Sequence, residues 1–449
     1  MRERVLVYGL GVAGRSMVRA LVARGADVVA VDDSESRAAI DELKGLGVDF
    51  VGEPDEKRLA DLVSWSTLVA PAPGIPEGHR LFSVTNRLVR RVATELDIAY
   101  EWEQERAGGP RPMIAVTGTD GKTTTTLLAA AMISAGGRST VACGNTDVPL
   151  VDALGLDVDC FVVEATSFRL RFDRSFRAEA SAWLNLAEDH LDWHESMATY
   201  EAAKARIWTA VRPADVAVGW TGDPVVMRHL ARVPCRRVTF GIQHGDYRVE
   251  NADSASARLV GPGGVIAPVA SLRRSLPHDL TNALCAAALV TESGLADSRV
   301  VESALADFVA PKHRIELVGA ADGIRWYDDS KATTPHAVVT ALRGFDDVVL
   351  VAGGRNKGLD LSEIASEASR IRAVVAIGDS AADIAEVFAG VRPVEIADSM
   401  SDAVARARRL ASSVVLLSPG CTSYDWYDGY ARRGDDFARC VAELIGGNP

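Results

Sequence analysis

The chain has 449 residues, 48% apolar and 24% charged, which is the balance of a globular protein able to bury real cores. At ~150 residues per domain this length predicts about three domains. A net charge of −12 argues against a nucleic-acid partner, which calls for a basic stripe, but leaves room for a local basic site for a phosphorylated small molecule.

Val5–Tyr8 reads as a strand, followed by Gly9-Leu10-Gly11-Val12-Ala13-Gly14 and a helical stretch from Arg15 to Arg24. Gly25-Ala26 then turns into a second strand, Asp27–Val31, ending at Asp32-Asp33. A strand, G-x-G-x-x-G and an acid about twenty positions on form the dinucleotide-binding fingerprint. Taken alone it predicts an NAD(P)-dependent oxidoreductase. The same backbone accepts any diphosphate, and the same acid any ribose or base donor, so a UDP moiety satisfies it equally. A domain with the turn and no ligand is the third reading. Leu68–Gly74 is a strand running into a Pro/Gly loop, at the place where doubly wound sheets bind ligands. Glu101–Pro112, charged and then Gly-Gly-Pro-Arg-Pro, reads as a linker.

The stretch Met113–Thr126 carries the strongest signal. A short apolar strand leads into Gly118-Thr119-Asp120-Gly121-Lys122-Thr123-Thr124, and an Ala/Leu-rich helix follows. This is the layout of a phosphate cradle, in which amides and a helix N-terminus face phosphate oxygens, the lysine reaches the outer phosphates and a Thr hydroxyl binds Mg²⁺. The match to the eight-residue P-loop pattern is incomplete, since Val116 stands where its first glycine would fall. The alternative is a Gly turn ahead of an ordinary helix.

Thr140–Asn145 and Cys160–Glu164 read as further strands. Glu164 is either a solvated strand end or the second anchor for Mg²⁺. Ser181–Leu186 is another strand. His190 and His194 have the i, i+4 spacing of a zinc pair, but no third ligand is spaced to join them. Lys204, on a helix over 198–208, is an exposed helical lysine on sequence alone. Short strands follow at 216–218 and 238–240, and residues 245–275 form a polar, Gly-rich hairpin region. A helix begins at His278 and carries Asn282.

Four apolar runs, 324–327, 348–352, 373–377 and 414–417, predict a second α/β unit with a largely parallel sheet. Loops at or just after strand ends, 328–333, 353–358 and 418–423, combine Gly, Ser and Lys, which favours an anionic ligand over mere solubility charges. The six cysteines form no Cys-x-x-Cys, and free thiols in a reducing compartment are expected. The N-terminus lacks a signal-peptide layout, and no apolar run approaches the ~18 residues that span a bilayer. The expectation is a cytoplasmic protein without membrane insertion.

These pieces together resemble the ATP-dependent Mur ligases over essentially the whole chain. The resemblance is carried by Gly118–Thr124, Glu164-Ala-Thr-Ser-Phe168, Asn185–Asp192, Tyr200–Lys204, His313-Arg314, Asp329–Thr333, and Ser418-Pro419 with Ser423. It is strongest with the branch that joins D-glutamate to UDP-N-acetylmuramoyl-L-alanine in peptidoglycan synthesis. Gly9–Gly14 separates this branch from the folylpolyglutamate synthases.

The resemblance implies an α/β protein of three domains. A Rossmann-like domain (1–110) binds the UDP substrate, a P-loop ATPase domain (111–310) binds ATP, and a Rossmann-like domain (311–449) presents the amino acid. The implied chemistry passes the γ-phosphate of ATP to the substrate carboxylate, and the amine of glutamate then attacks the acyl phosphate. By the same resemblance Gly118, Thr119, Asp120, Gly121, Lys122, Thr123, Thr124, Asn282, Arg314 and Asp329 bind ATP. Two Mg²⁺ ions are implied, held by Thr123, Glu164, His190 and a carbamylated Lys204. Lys331 would lie near the reacting phosphate. Gly11, Val12, Ala13, Asp32, Gly74, Asn145 and His190 match positions on the UDP-substrate side. Thr333, Lys357, Ser423, Tyr424 and Tyr430 match the amino-acid side. A monomer is expected.

Several positions depart from the family pattern. They include Asp120 for Asn in the phosphate loop, Thr146-Asp147 after Gly144-Asn145, and Arg169 for Gln after Phe168. Others are Asp279 for Asn, Thr334 for Asn, Gly420 for Ala, and Asp33-Ser34 in the uridine loop. None removes the phosphate lysine or a metal ligand, so the reaction class is unaffected. They leave L-glutamate or another amino acid as the alternative on the same scaffold. A catalytically dead binding relative is opposed by Lys122, Glu164 and Lys204.

Overall fold

The computed structural model describes residues 2–34, 36–252 and 254–446. Its packing divides the chain into two compact units: one of residues 1–186, 190–273 and 281–308, the other of residues 187–189, 274–280 and 309–449.

The first unit begins with β1 (Arg4–Tyr8), β2 (Asp27–Asp32), β3 (Asp49–Gly52), β4 (Leu68–Pro71) and β5 (Arg91–Val92). They form a parallel sheet in the order β3-β2-β1-β4-β5, the doubly wound arrangement that the fingerprint predicts. The first helix starts at Val12, three residues earlier than the sequence suggests, because Gly11 serves as its N-cap. The third fingerprint glycine is required by space: a Cβ on Gly14 would lie 1.8 Å from the Gly9 carbonyl oxygen.

The same unit continues with β6 (Met113–Thr117), β7 (Thr140–Gly144), β8 (Cys160–Glu164), β9 (Ala180–Trp183), β10 (Val216–Trp220) and β11 (Arg236–Phe240). Their order is β11-β10-β9-β6-β8-β7, all parallel. Every residue of β6 and β8 is buried, as a central strand covered on both faces requires. An antiparallel trio, β12 (Arg248–Glu250), β13 (Arg258–Gly261) and β14 (Gly264–Pro268), fills the region expected to be a hairpin.

The expected linker is a correction. Glu101–Gln104 is the last turn of the helix Glu95–Gln104, opened by a capping box between Thr94 and Asp97. Glu103 is buried and binds the Arg111 guanidinium through both carboxylate oxygens, at 2.8 and 2.7 Å. Arg111 also donates to the carbonyls of Leu154 and Leu156. Glu103 and Arg111, which look like tether in the sequence, are thus an internal pair. Further polar ties join the first two sheets within this unit. Glu95, fully buried, faces Arg169 at 2.6 Å, and Asp97 accepts from the amides of Arg174 and Ser175.

The second unit holds β15 (Glu316–Ala321), β16 (Ile324–Asp328), β17 (Val348–Gly353), β18 (Ile371–Ile377), β19 (Val394–Ile396) and β20 (Val414–Gly420). Their order is β15-β16-β20-β17-β18-β19, with only β15 antiparallel to its neighbour. The loops singled out in the sequence leave β16, β17 and β20 at their carboxyl ends. Among the described residues no helix is long and apolar enough to cross a membrane.

Candidate active site

In the first unit the phosphate loop spans the carboxyl end of β6 and the helix Lys122–Ala135. Gly121, at φ +82°, caps that helix, and a Cβ there would lie 2.6 Å from Asn282 Oδ1. Asn282 Oδ1 also accepts from the Thr125 hydroxyl at 3.2 Å, so this residue is packed directly on the loop. The Lys122 ammonium folds over the loop, donating to the carbonyls of Gly118 and Thr119 at 2.9 and 2.7 Å. Thr123 and Thr124 occupy the helix's first turn, where backbone amides lack intrahelical acceptors.

Asn185 holds the loop from outside. Its Oδ1 accepts from the amides of Thr119 and Asp120, both at 2.9 Å, and its Nδ2 donates to the Asp120 carbonyl at 3.3 Å. The sequence places Asn185 in a motif without giving it a task. The task emerges only where the chain leaving β9 passes the loop.

Glu164 ends β8 and is 1% exposed. Its Oε1 accepts from Asn145 Nδ2 at 2.9 Å, and its Oε2 is buried with no hydrogen-bond partner. Asn145 thus meets Glu164 directly. An orphaned carboxylate oxygen at a strand end suits a hard cation, and hydroxyl and carboxylate are the donors Mg²⁺ takes. Lys204 is no surface lysine: it is 1% exposed, in the last turn of the helix Met197–Ala205. Its ammonium donates to the Gly118 carbonyl at 2.6 Å and sits 4.3 Å over the Tyr200 ring. As an ammonium it does not fit a cation site; as a carbamate it would.

His190 lies edge-on to Phe168, with ring centroids 4.6 Å apart. The zinc-pair idea fails at His194. Its Nδ1 faces Glu77 at 3.1 Å, its Nε2 faces Ser167 at 2.9 Å, and it is buried. Burial lowers the His194 pKa, which keeps the ring neutral. Glu77 also binds Arg171 and the Glu195 amide, and it is held down at about 2, its hydrogen bonds outweighing burial.

On the first sheet, Gly11 and Val12 are exposed at the helix start, whereas Ala13 is buried and offers only its backbone. Asp32 is already engaged: Oδ2 accepts from the Leu10 amide at 2.6 Å, and Oδ1 from the Ser34 amide and hydroxyl at 2.8 Å each. Asp33 binds the Tyr8 hydroxyl at 2.6 Å and His79 at 3.1 Å. Gly74 is exposed in the loop after β4.

In the second unit Asp329 is buried beyond β16 and accepts from the Ser418 hydroxyl at 2.8 Å. Burial pushes its carboxyl up to about 7, although Ser418 and Arg314 pull the other way. Arg314 is half-buried, its carbonyl accepting from Arg274 at 2.7 Å. The Lys331 ammonium sits 4.9 Å over the Tyr430 ring. Thr333 is half-buried, Ser423 is buried, and Lys357 and Tyr424 are exposed. Two departures near this group, and Thr422 beside them, are spent internally or lack a side chain. Thr334 caps the helix Pro335–Leu342, the Thr422 hydroxyl donates to the Arg355 carbonyl at 2.8 Å, and Gly420 has no side chain to offer.

Comparison with known proteins agrees with this geometry. Residues 116–290 match the Mur ligase middle domain, and 313–421 match the Mur ligase glutamate ligase domain. The chain is 40% identical to UDP-N-acetylmuramoylalanine--D-glutamate ligase of Frankia casuarinae, over 97% of this chain and 93% of that one. It is 36% identical to the ligase of the same name from Streptomyces coelicolor, over 98% of each chain. Among solved structures, a pseudomurein peptide ligase type C from Methanothermus fervidus has a TM-score of 0.62 at 16% identity, covering 99% of this chain and 100% of that one. UDP-N-acetylmuramate-alanine ligase from Thermotoga maritima gives 0.59 at 18% over the same shares. Such coverage leaves no room for the oxidoreductase reading, which accounts only for the first sheet. With phosphate loop, acidic strand end and buried lysine in place in the first unit, the chain belongs to the Mur ligase family.

Proposed function

We propose that the protein joins D-glutamate to UDP-N-acetylmuramoyl-L-alanine at the expense of ATP. The observation that carries this reading is the cluster of Lys122 and buried Lys204 on the Gly118 carbonyl, in a chain alignable end to end with relatives named for that reaction. Functionally the chain has three parts, with boundaries near residues 110 and 310: the first binds the UDP substrate, the second ATP, the third the amino acid.

The loop amides of 118–121 and the Lys122 ammonium hold the β- and γ-phosphates, and Asn282 packs the loop for adenosine. In the second unit Arg314 and Asp329 take the nucleoside. Thr123, Glu164, His190 and Lys204, once carbamylated, would hold two Mg²⁺ ions, which when bound would neutralise phosphate charge. The γ-phosphoryl group passes to the alanyl carboxylate, and ADP leaves. The amine of glutamate attacks the acyl phosphate, the tetrahedral intermediate collapses, and amide and phosphate form. The protein supplies position and charge rather than covalent chemistry. Lys331 stands near the transferred phosphate.

On the substrate side Gly11, Val12, Ala13, Asp32 and Gly74 line the UDP crevice, and Asn145 and His190 face the muramoyl part. Thr333, Lys357, Ser423, Tyr424 and Tyr430 receive glutamate, Lys357 pairing with a carboxylate. The internal use of Thr334 and Thr422 supports D-glutamate over the L isomer, since neither hydroxyl adds a new group to the pocket. Incubation with ATP, Mg²⁺, UDP-N-acetylmuramoyl-L-alanine and D-glutamate, followed by mass analysis, tests this. A UDP-linked product lengthened by one glutamate is expected; recovery of both substrates unchanged refutes it.

A further inference from the structure

Arg433 is the most buried guanidinium of the second unit, 1% exposed on the helix Tyr430–Gly446. Its bonds all go to two loops. Nε donates to Ser330 Oγ at 2.9 Å, and Nη2 donates to the Ser330 carbonyl at 2.8 Å. Nη1 and Nη2 each donate to the Cys421 carbonyl at 3.1 Å. Ser330 Oγ in turn donates to the Tyr430 carbonyl at 2.8 Å, closing the circuit on the helix. Among the described residues no carboxylate lies within ion-pair distance of Arg433; burial lowers its pKa to about 10, Asp425 and Asp328 pull the other way from further off, and it stays charged.

A buried cation bonded only to neutral carbonyls and a hydroxyl is costly to keep. Its planar fork reaches two loops at once, which a lysine ammonium cannot copy. The two loops are those that carry Lys331 and Thr333 on one side and Ser423 and Tyr424 on the other. The nucleoside side has ties of its own. Asp329 is set by its amide bond to the Leu417 carbonyl at 2.8 Å and by the Ser418 hydroxyl.

We infer that Arg433 is a positioning residue for the acceptor amino acid: it fixes the spacing of the 330–333 and 421–424 loops, which carry the groups that receive glutamate. This rests on the proposed ligase reading. It adds a specific consequence, that loss of the fork damages use of the amino acid more than use of ATP or of the UDP substrate.

The test uses the full chain with two variants. Arg433→Lys keeps charge and removes the fork. Ser330→Ala removes one acceptor and leaves the arginine. Steady-state KM values for D-glutamate, ATP and UDP-N-acetylmuramoyl-L-alanine are measured alongside kcat, with isotope scrambling in ATP, in the absence of glutamate, reporting acyl phosphate formation. For Arg433→Lys, KM for D-glutamate is expected to rise at least tenfold while the other two KM values and the scrambling rate stay within threefold. Ser330→Ala should show the same pattern, about threefold for D-glutamate. An equal loss in all three KM values and in scrambling, or an unchanged KM for D-glutamate, overturns the inference. If Arg433→Lys does not fold, Ser330→Ala decides it by the same criteria. A wild-type enzyme without glutamate-dependent turnover would instead refute the ligase reading itself.

Discussion

The ammonium of Lys204 lies 2.6 Å from the carbonyl oxygen of Gly118, the first glycine of the phosphate loop. A lysine 86 positions further along the chain is thus fixed on the phosphate loop, whose own strand pairs with the one that ends in Glu164. Carbamylation would turn this side chain from a cation into an anionic oxygen ligand. Lys204→Ala is therefore expected to lose at least 100-fold in phosphate release, and acetate or formate should restore part of it. A native protein whose intact mass and bicarbonate isotope labelling show only a bare lysine would contradict the carbamate.

Lys122 donates to two carbonyls of its own loop, those of Gly118 and Thr119. Lys122→Ala should still fold, yet reduce turnover by about 10³-fold through lost charge on the outer phosphates. Near-normal turnover would remove the loop from the mechanism.

Asn185 works in the opposite way, touching no phosphate but satisfying two consecutive loop amides. Asn185→Ala removes the side-chain acceptor that both amides share, while the Thr119 amide keeps the backbone carbonyl of residue 185 at 3.1 Å, and should cost about 1–3 kcal/mol in denaturant unfolding. KM for ATP should rise with it. A stable variant with normal ATP affinity would show that the loop holds its own shape.

Much of this was legible in sequence, and the boundary is physical. The phosphate loop, the Gly9–Gly14 fingerprint and the parallel strands are local patterns, each written within some twenty residues. What sequence reading missed depends on contacts that no local pattern records. Glu103 looks like linker because its partner, Arg111, lies across a turn. His194 looks like half a zinc site because Glu77 is 117 positions away. Arg433 gives no motif signal at all, since its partners are backbone carbonyls and one hydroxyl on two loops. Arg169, a departure from the family's Gln, is explained only by the buried Glu95 that pairs with it 74 positions earlier.

That pair predicts a test. Glu95 and Arg169 are 2.6 Å apart, with side chains 0% and 7% exposed. Removing one partner strands a buried charge, so Glu95→Gln alone should cost about 3–5 kcal/mol, while Glu95→Gln with Arg169→Gln should recover most of it. Denaturant midpoints for the four proteins of this cycle measure the coupling, and additive losses would show that the pair is not coupled.

Asp329 gives stability a pH signature. Burial raises its folded pKa to about 7, above the ~3.9 of an unfolded aspartate. Between these values the native state keeps a proton that the unfolded chain has released, so this residue's contribution falls as pH rises from about 4 to about 7, then levels off. Unfolding free energies of wild type and Asp329→Asn across that range should diverge, with the wild type losing ground as pH increases. Parallel curves would contradict the buried, proton-holding carboxyl.

The most direct test of the account is phosphate release from ATP and Mg²⁺ with UDP-N-acetylmuramoyl-L-alanine, run in parallel with D-glutamate, L-glutamate and no amino acid. The account predicts sustained release only with D-glutamate. Release only with L-glutamate would keep the mechanism and overturn the stereochemical assignment, and no release with either isomer, from a protein that binds ATP, would contradict the proposed reaction.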